Sequence, residues 1–253
     1  MELYENERID YVNDKLSLIQ KTDGLTFGTD ALLLAGYIAG GYRVGVELGG
    51  GTGIISMLLR TREKVGRAYA VEVQEEYAEL IKRNTEFNGI TELIPVQADV
   101  REYRCPLECD LVYTNPPYMK VTSGYSNRED KKNVARHEVM GDITDFMQAA
   151  KRLLKWGGDL AVVYRPDRLV DLVTAMRNSG IEPKVITLVM ADTEAAPSLA
   201  LVLGRRGGKP GVRMTPPLLL YSDISHKTNS ADMEYILENG IFPDKYYVNQ
   251  KVK

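Results

Sequence analysis

Short runs of β-branched and aromatic residues alternate along this chain with amphipathic runs of helical length. Five of the short runs have the length and composition of buried strands: VGVEL (44–48), AYAVEV (68–73), LIPVQ (93–97), DLVYT (110–114) and GGDLAVVY (157–164). Because parallel strands need a long connection between them, this alternation predicts a parallel sheet covered by helices.

The last two β-rich runs are arranged differently. PKVITLVM (183–190) and PSLALVLG (197–204) have no helical segment between them, so we expect an antiparallel hairpin at the sheet edge. The chain is therefore predicted to be a Rossmann-like α/β protein. Its sheet would be seven-stranded and mostly parallel, with an antiparallel edge hairpin and helices on both faces.

A chain of 253 residues is long enough for one large α/β domain with small additions. We expect a core over 44–205, an N-terminal segment with an apolar helix over 1–43, and a basic segment and polar tail over 206–253. No stretch approaches the roughly 18 apolar residues of a membrane span. The polar, acidic N-terminus does not resemble a secretory signal, so a cytoplasmic protein is predicted.

The two cysteines, Cys105 and Cys109, form a single C-x3-C pair. A structural zinc site takes four ligands, and the only histidines, His137 and His226, are far away in the sequence. We therefore expect two reduced thiols near the start of a strand and no bound metal.

The net charge of −3 gives no overall sign of a nucleic-acid-binding protein. Cations are nevertheless concentrated in two segments. Residues 119–138 contain five cations beside three acids, and residues 204–213 contain four cations and no acid. Such segments are solvated loops about as often as nucleic-acid contacts, so their place in the fold decides between the two.

A glycine-rich turn, ELGGGTG (47–53), links the first strand to the following helix. Glycines allow a tight turn and a close approach of the backbone to a ligand. A dinucleotide fingerprint, G-x-G-x-x-G, would need glycine at position 54 or 56, where the sequence has Ile54 and Ser56. A nicotinamide-dependent dehydrogenase is therefore disfavoured.

The spacing Glu47-x-Gly49-x-Gly51-x-Gly53 resembles motif I of the class I S-adenosylmethionine-dependent methyltransferases. The resemblance implies that these four residues contact S-adenosylmethionine. An acidic residue suits this ligand, because the cofactor carries a cationic sulfonium group, whereas a pyrophosphate would be repelled.

Acidic residues also follow the next two strands. Glu72 ends the second strand, where a carboxylate can accept hydrogen bonds from both hydroxyls of a ribose. The resemblance implies that Asp99, after the third strand, lies near the amino group of the adenine. It also implies cofactor contacts from the adjoining Val73 and Val100.

The tetrapeptide Asn115-Pro116-Pro117-Tyr118 follows the fourth strand. Each X-Pro step favours extended backbone, so the loop is stiff. The side-chain carbonyl of Asn115 and the backbone carbonyl of Pro116 can accept the two hydrogens of a planar NH2 group. This favours a pyramidal nitrogen whose lone pair points at a methyl donor. Tyr118 offers an aromatic face on which a planar base can stack.

Three further segments resemble the tRNA1(Val) (adenine(37)-N6)-methyltransferase family: FGTDALLL (27–34), ARHE (135–138), and GGKPG (207–211) followed by PPL (216–218). The resemblance covers about residues 5–225. It implies S-adenosylmethionine-dependent methylation of adenine N6 in RNA, in the anticodon loop of a tRNA. It also implies that Thr29 and Asp30 belong to a segment that closes over the cofactor.

The resemblance gives the two basic segments a role. An enzyme that acts on an extruded base has to hold the neighbouring phosphates, so we expect both segments to flank the pocket mouth. The residues expected to contact RNA are Lys120, Arg136, His137, Arg205, Arg206 and Lys209.

Two alternatives remain open. A protein glutamine N5-methyltransferase would use the same NH2 geometry, although such enzymes carry a helical substrate domain before the sheet and only 43 residues precede Val44 here. A non-catalytic RNA-binding protein with the methyltransferase fold is the other. The intact Asn115 and the glycine-rich turn argue against it.

Overall fold

The computed structural model describes residues 3–24, 27–117 and 141–247. None of the helices in these ranges is long and apolar enough to cross a membrane. The helices are α1 (Thr29–Tyr37), α2 (Ile54–Thr61), α3 (Glu75–Phe87), α4 (Ile143–Leu153), α5 (Leu169–Asn178) and α6 (Ala231–Asn239), with 3-10 turns at Pro166–Arg168 and Asp244–Tyr246. The strands are β1 (Glu7–Asn13), β2 (Leu16–Lys21), β3 (Tyr42–Leu48), β4 (Val65–Glu72), β5 (Leu93–Gln97), β6 (Cys109–Thr114), β7 (Leu154–Tyr164), β8 (Ile181–Met190), β9 (Leu199–Arg206), β10 (Arg213–Met214) and β11 (Leu218–Leu219).

The main sheet has the strand order β10-β8-β9-β7-β6-β3-β4-β5, and β11 also pairs with β8. β9 is antiparallel to β7 and β8, and the other pairs are parallel. The predicted mostly parallel sheet with an antiparallel pair is confirmed. Its size and edge were predicted wrongly, because β10 and β11 pair with β8 and bring the described sheet to nine strands. Strands of two residues leave no periodicity in a sequence.

Helices cover both faces of the sheet, as predicted. Side chains of β3 alternate between the faces, and Val46 and Leu48 lie in one core with Phe146 of α4. On the opposite face α1, α2 and α3 pack on the sheet, with Leu34 and Leu58 among the fully buried side chains. This two-sided burial explains why the central strands are almost continuously apolar.

An N-terminal hairpin of β1 and β2, which the sequence reasoning did not predict, lies beside α3. Asn84 accepts from the N–H of Ile19 at 2.7 Å and donates to its carbonyl at 3.0 Å. Asn88 makes the same pair of bonds with Ser17, at 3.0 and 2.8 Å. The two asparagines therefore satisfy one edge of β2 and attach the hairpin to the helix.

The C-terminal residues are part of the core up to residue 247. The ring of Phe242 lies 5.1 Å from that of Tyr37 in α1 and 5.3 Å from that of Tyr246. The hydroxyl of Tyr247 donates to the Gly36 carbonyl at 2.7 Å. The prediction of a polar tail is wrong for these residues. A few aromatic side chains bury a large apolar area without producing a clear periodicity.

Candidate active site

The carboxyl ends of β3, β4, β5 and β6 meet at one edge of the sheet, because these strands are parallel. Thr114, the last residue of β6, donates its hydroxyl to the Leu48 carbonyl at 2.7 Å and joins two of these ends. Glu72 is the last residue of β4, and the glycines of the turn, Asp99 and Asn115 follow other strands that end here. The structure therefore brings together the residues that the sequence analysis placed around a cofactor.

The glycine-rich turn favours glycine because of its backbone conformation and because of the space around its residues. Gly49, Gly51 and Gly53 have φ values of +72°, +53° and +80°, which favour glycine. A Cβ on Gly51 would point into open space, so this part of the turn offers bare backbone to a ligand. A Cβ on Gly49 would instead press on Phe146 at 3.3 Å.

Glu47 is buried beneath the turn, with 1 % of its surface exposed. Its carboxylate accepts a hydrogen bond from the Ser56 N–H at 3.1 Å and another from the Ser56 hydroxyl. That hydroxyl is also 2.7 Å from the Tyr113 hydroxyl. Burial raises the pKa of Glu47 to about 8. In this structure Glu47 accepts the hydrogen bond of a main-chain N–H in the first turn of α2. Its contact with the cofactor stays a prediction.

Ser56 and Tyr113 were missed as members of this buried network. Ser56 entered the sequence argument only as the residue that breaks the dinucleotide fingerprint. Ser56 could have been predicted from its position nine residues after Glu47. The glycine-rich turn of residues 47–53 reverses the chain, so the beginning of α2 lies beside the end of β3.

Glu72 is also buried, and it holds the turn from the other side. One carboxylate oxygen accepts from the Gly51 N–H at 2.9 Å and the other from the Gln74 N–H at 2.9 Å. Val73, which follows it, is half-buried. The ribose contact expected of Glu72 stays a prediction, and its position beside the open face of Gly51 is compatible with it.

Asp99 follows β5 and is paired with Arg101, whose N–H donates to it at 2.8 Å and whose guanidinium donates to both carboxylate oxygens. This pairing lowers the pKa of Asp99, so the group stays an ionised acceptor. Val100 is buried in the core on the α4 side. The adenine contact of Asp99 remains a prediction.

Asn115 lies directly after β6 and contacts the start of α1. Its Nδ2 donates to Oδ2 of Asp30 at 2.8 Å. Asp30 is in the first turn of α1, and its other oxygen accepts from the Ala31 N–H at 2.9 Å. Thr29, which begins α1, is exposed. The segment 27–34 and the Asn-Pro-Pro loop, 85 residues apart in sequence, are thus in direct contact.

A cleft of about 420 Å³ opens beside Pro116 and Pro117, between α4 and α5. Its lining includes Phe146, Tyr164 and Arg168. The volume falls in the range of small-ligand pockets. Tyr164 and Arg168 were not predicted as site residues, because a residue at the end of a strand and one in a short 3-10 turn carry no motif.

The two basic segments end up differently. Tyr118, Lys120, Arg136 and His137 lie outside the described residues. Arg205 lies near the end of β9, and Arg206 and Lys209 come shortly after it. Because β9 is antiparallel to β7, its end lies at the opposite edge of the sheet from Asn115. There Arg205 pairs with Asp159 of β7.

The expected place of the second basic segment is therefore wrong. Arg205 donates to Asp159 at 2.8 Å, and Arg206 donates to the Leu154 carbonyl. The six residues of β6 separate this edge from Asn115 by about 20 Å. These cations do not flank the mouth of the pocket. Their contact with RNA stays a prediction, and it would have to occur at the edge of the sheet opposite Asn115.

Cys105 and Cys109 are free thiols, as expected. In the described part of the chain, no three His, Cys, Asp or Glu side chains form a group that could hold a metal ion.

Solved structures share this fold. A predicted O-methyltransferase from Agrobacterium tumefaciens is 22% identical, with a TM-score of 0.69 over 85% of this chain and 98% of that one. The TYW2 protein of M. jannaschii, determined in complex with AdoMet, is 16% identical, with a TM-score of 0.54 over 81% of this chain and 87% of that one. Strand order, glycine-rich turn and acidic strand ends together define a class I S-adenosylmethionine-dependent methyltransferase.

Residues 22–178, more than half of the chain, match the methyltransferase small domain family, and the chain belongs to this family. Two relatives carry the name tRNA1(Val) (adenine(37)-N6)-methyltransferase. The protein from Dyadobacter fermentans is 25% identical over 178 residues, 70% of this chain and 73% of the relative. The protein from Aeromonas hydrophila is 31% identical over 140 residues, 54% of this chain and 58% of the relative.

The residues present fit S-adenosylmethionine. The open face of Gly51 leaves room for a ligand against bare backbone. A carboxylate lies at the end of β4 and another follows β5, at the same edge. The cofactor supplies an electrophilic methyl carbon bonded to a sulfonium. The chain's own contribution is to place an acceptor nitrogen in line with that carbon.

Proposed function

We propose that this enzyme methylates N6 of an adenine in RNA, and that the RNA is a tRNA modified in its anticodon loop. The observation that carries the proposal is the position of Asn115, held by Asp30 at the edge where the glycine-rich turn lies. The names of the relatives from Dyadobacter fermentans and Aeromonas hydrophila support the tRNA substrate.

The chemistry follows from two acceptors. The side-chain carbonyl of Asn115 and the main-chain carbonyl of Pro116 accept the two hydrogens of the adenine amino group. The nitrogen lone pair is then withdrawn from the ring and attacks the methyl carbon. The N–C bond forms as the S–C bond breaks, and the nitrogen, now cationic and acidic, loses a proton to solvent. Alignment supplies most of the acceleration, so no strong base is required.

An anticodon-loop adenine suits this geometry. A base in a loop leaves its stack at a lower free-energy cost than one in a duplex, and it can then enter a pocket beside Pro116 and Pro117. Tyr118 is proposed to stack on it, and Lys120, Arg136 and His137 to contact the flanking nucleotides. A tRNA substrate also places the proposed activity in the cytoplasm.

Incubation with cofactor labelled in the methyl group tests the proposal. Separate reactions contain tRNA, rRNA, DNA or protein from cells that lack the enzyme. We expect label in tRNA, recovered as N6-methyladenosine after nuclease digestion. Label found only in protein, recovered as N5-methylglutamine, would replace the proposal with the glutamine alternative.

A further inference from the structure

Trp156 projects into solvent from a bulge in β7. Between the pairs Cys109–Leu154 and Leu111–Asp159, β6 advances by two residues and β7 by five. A bulge of this kind interrupts the regular alternation of side chains and redirects them. As a result the indole of Trp156 is 76 % exposed.

The exposed indole rests on main chain. Gly207 lies against it so closely that a Cβ at this position would overlap the ring. Gly207 has a φ of +68°, and its N–H donates to the Gly180 carbonyl at 2.9 Å. Gly157, inside the bulge, has a φ of +76°. Tryptophan is among the residue types enriched at binding interfaces, and this ring is packed against main chain on one side and largely exposed to solvent.

Trp156 shares a cleft of about 450 Å³ with four cations and one carboxylate. These are Arg104, Arg152, Lys155 and Arg206, and Glu108. The three arginines donate to main-chain carbonyls, and none of them has a carboxylate partner in the described ranges. Lys155 lies 3.8 Å from Asp110. The four cations outnumber the carboxylates of Glu108 and Asp110, so the surface has a net positive charge on a protein of net charge −3.

We propose that this surface (Arg104, Arg152, Lys155, Trp156 and Arg206) binds an unpaired RNA segment at a distance from the methylated base. A base stacks on the exposed face of Trp156, and the cations contact the phosphates on either side. The inference rests on the proposed RNA substrate. It gives a role to Arg206, one of the cations of residues 204–213 that were expected to contact RNA.

The combination favours RNA over an acidic protein. Carboxylates would be attracted by the arginines but make no use of a flat aromatic face, whereas every base has one. The surface lies at the sheet edge opposite Asn115, about 20 Å away along β6. An RNA that reaches both has to extend beyond its target loop, so a whole tRNA engages the surface and a minimal stem-loop does not.

Trp156 is the only tryptophan in the sequence, so its fluorescence reports on this surface alone. We expect whole tRNA to quench the emission, with a midpoint equal to the dissociation constant from filter binding. Heparin, a polyanion without bases, tests charge alone, and polyglutamate tests an acidic protein. Quenching by either as strong as that by tRNA, or tRNA binding without quenching, overturns the proposal.

Substitutions separate stacking from charge. We expect Trp156→Ala to weaken whole-tRNA binding about 5-fold to 150-fold, the range of one base–aromatic stack, and Trp156→Phe to restore most of it. Trp156→Leu keeps an apolar side chain without an aromatic face, and binding equal to that of Trp156→Phe would argue against stacking. Arg104→Glu should weaken binding and reduce its salt dependence, since this side chain is exposed.

Lys82→Glu is the matched control for charge. Lys82 is exposed to solvent and lies on α3, away from the proposed RNA-binding surface around Trp156. Binding should be unchanged. Methylation of a minimal stem-loop should be the same in the wild type and in Trp156→Ala, whereas a loss there assigns Trp156 to the active site or the fold. If no RNA is methylated but tRNA still quenches Trp156, the proposed methylation of RNA is wrong, whereas the proposed RNA binding at this surface is supported.

Discussion

Asp30 accepts a hydrogen bond from Nδ2 of Asn115 at 2.8 Å, and this contact fixes the orientation of the amide. An ionised carboxylate can only accept, so the NH2 side of Asn115 has to face Asp30. The carbonyl oxygen is thereby turned to the other side, where the proposed chemistry needs an acceptor. The same contact connects α1 with the loop after β6.

Asp30→Asn should therefore lower kcat about 10-fold to 100-fold, the effect of one hydrogen bond to a charged group. An amide at position 30 can face Asn115 with either side, so Asn115 is no longer held in one orientation. S-adenosylmethionine affinity, measured by calorimetry, and Tm should stay close to wild type. Asp14→Asn, at an exposed position in the turn between β1 and β2, is the matched control. An equal loss of affinity and kcat would assign Asp30 to the cofactor instead.

The pair also predicts a pattern among exchanged variants. Asn115→Asp alone should be strongly impaired, because two carboxylates would meet where a donor and an acceptor do now. Adding Asp30→Asn supplies the donor again and should recover part of the activity. A double variant no better than its single parents would show that the contact does not position residue 115.

Asn115→Ala should reduce methyl transfer at least about 100-fold, because one of the two acceptors for the NH2 group is lost. The cofactor affinity should change little, since the backbone of the glycine-rich turn and Glu72 are untouched. Asn239→Ala, an exposed asparagine in α6, is the control. Loss of cofactor affinity in step with catalysis would falsify the catalytic role of Asn115.

Much of this site could be predicted from sequence because its parts are local. Residues 47–53 and 115–118 are contiguous motifs, and each follows a strand whose apolar run is evident. The contact of Asp30 with Asn115 spans 85 residues and depends on how α1 lies across the sheet, which no local pattern specifies. The position of Arg205 was predicted wrongly for a related reason, since the direction of β9 decides at which edge it lies.

The buried carboxylate of Glu47 makes stability dependent on pH. Its pKa is raised from 4.5 to about 8, so the stabilisation is fully present below pH 4.5 and is lost as the pH rises through 8. A shift of this size corresponds to at most about 5 kcal/mol. Glu47→Gln keeps an acceptor for the Ser56 N–H but cannot ionise. Its free energy of unfolding should fall less than that of the wild type between pH 5 and pH 8.

Urea unfolding at half-unit pH steps measures this difference. Burial also lowers the pKa of Lys64 to about 7, which makes stability rise with pH above that value, but Lys64 is present in both proteins and cancels in the comparison. Parallel pH profiles for wild type and Glu47→Gln would show that Glu47 is ionised in the fold at all these pH values.

The C-terminal aromatic residues should stabilise the site from a distance, because Phe242 packs on Tyr37 at the end of α1 and Asp30 lies at its beginning. Phe242 is 1 % exposed, so Phe242→Ala should lower the free energy of unfolding by about 3 to 5 kcal/mol. Leu237→Ala, at a half-exposed position of the neighbouring α6, should cost under about 0.5 kcal/mol. Hydrogen exchange in α1 should accelerate only in the first variant. If exchange in α1 were unchanged while global stability fell, the C-terminal residues would stabilise the fold without bearing on the helix that positions Asn115.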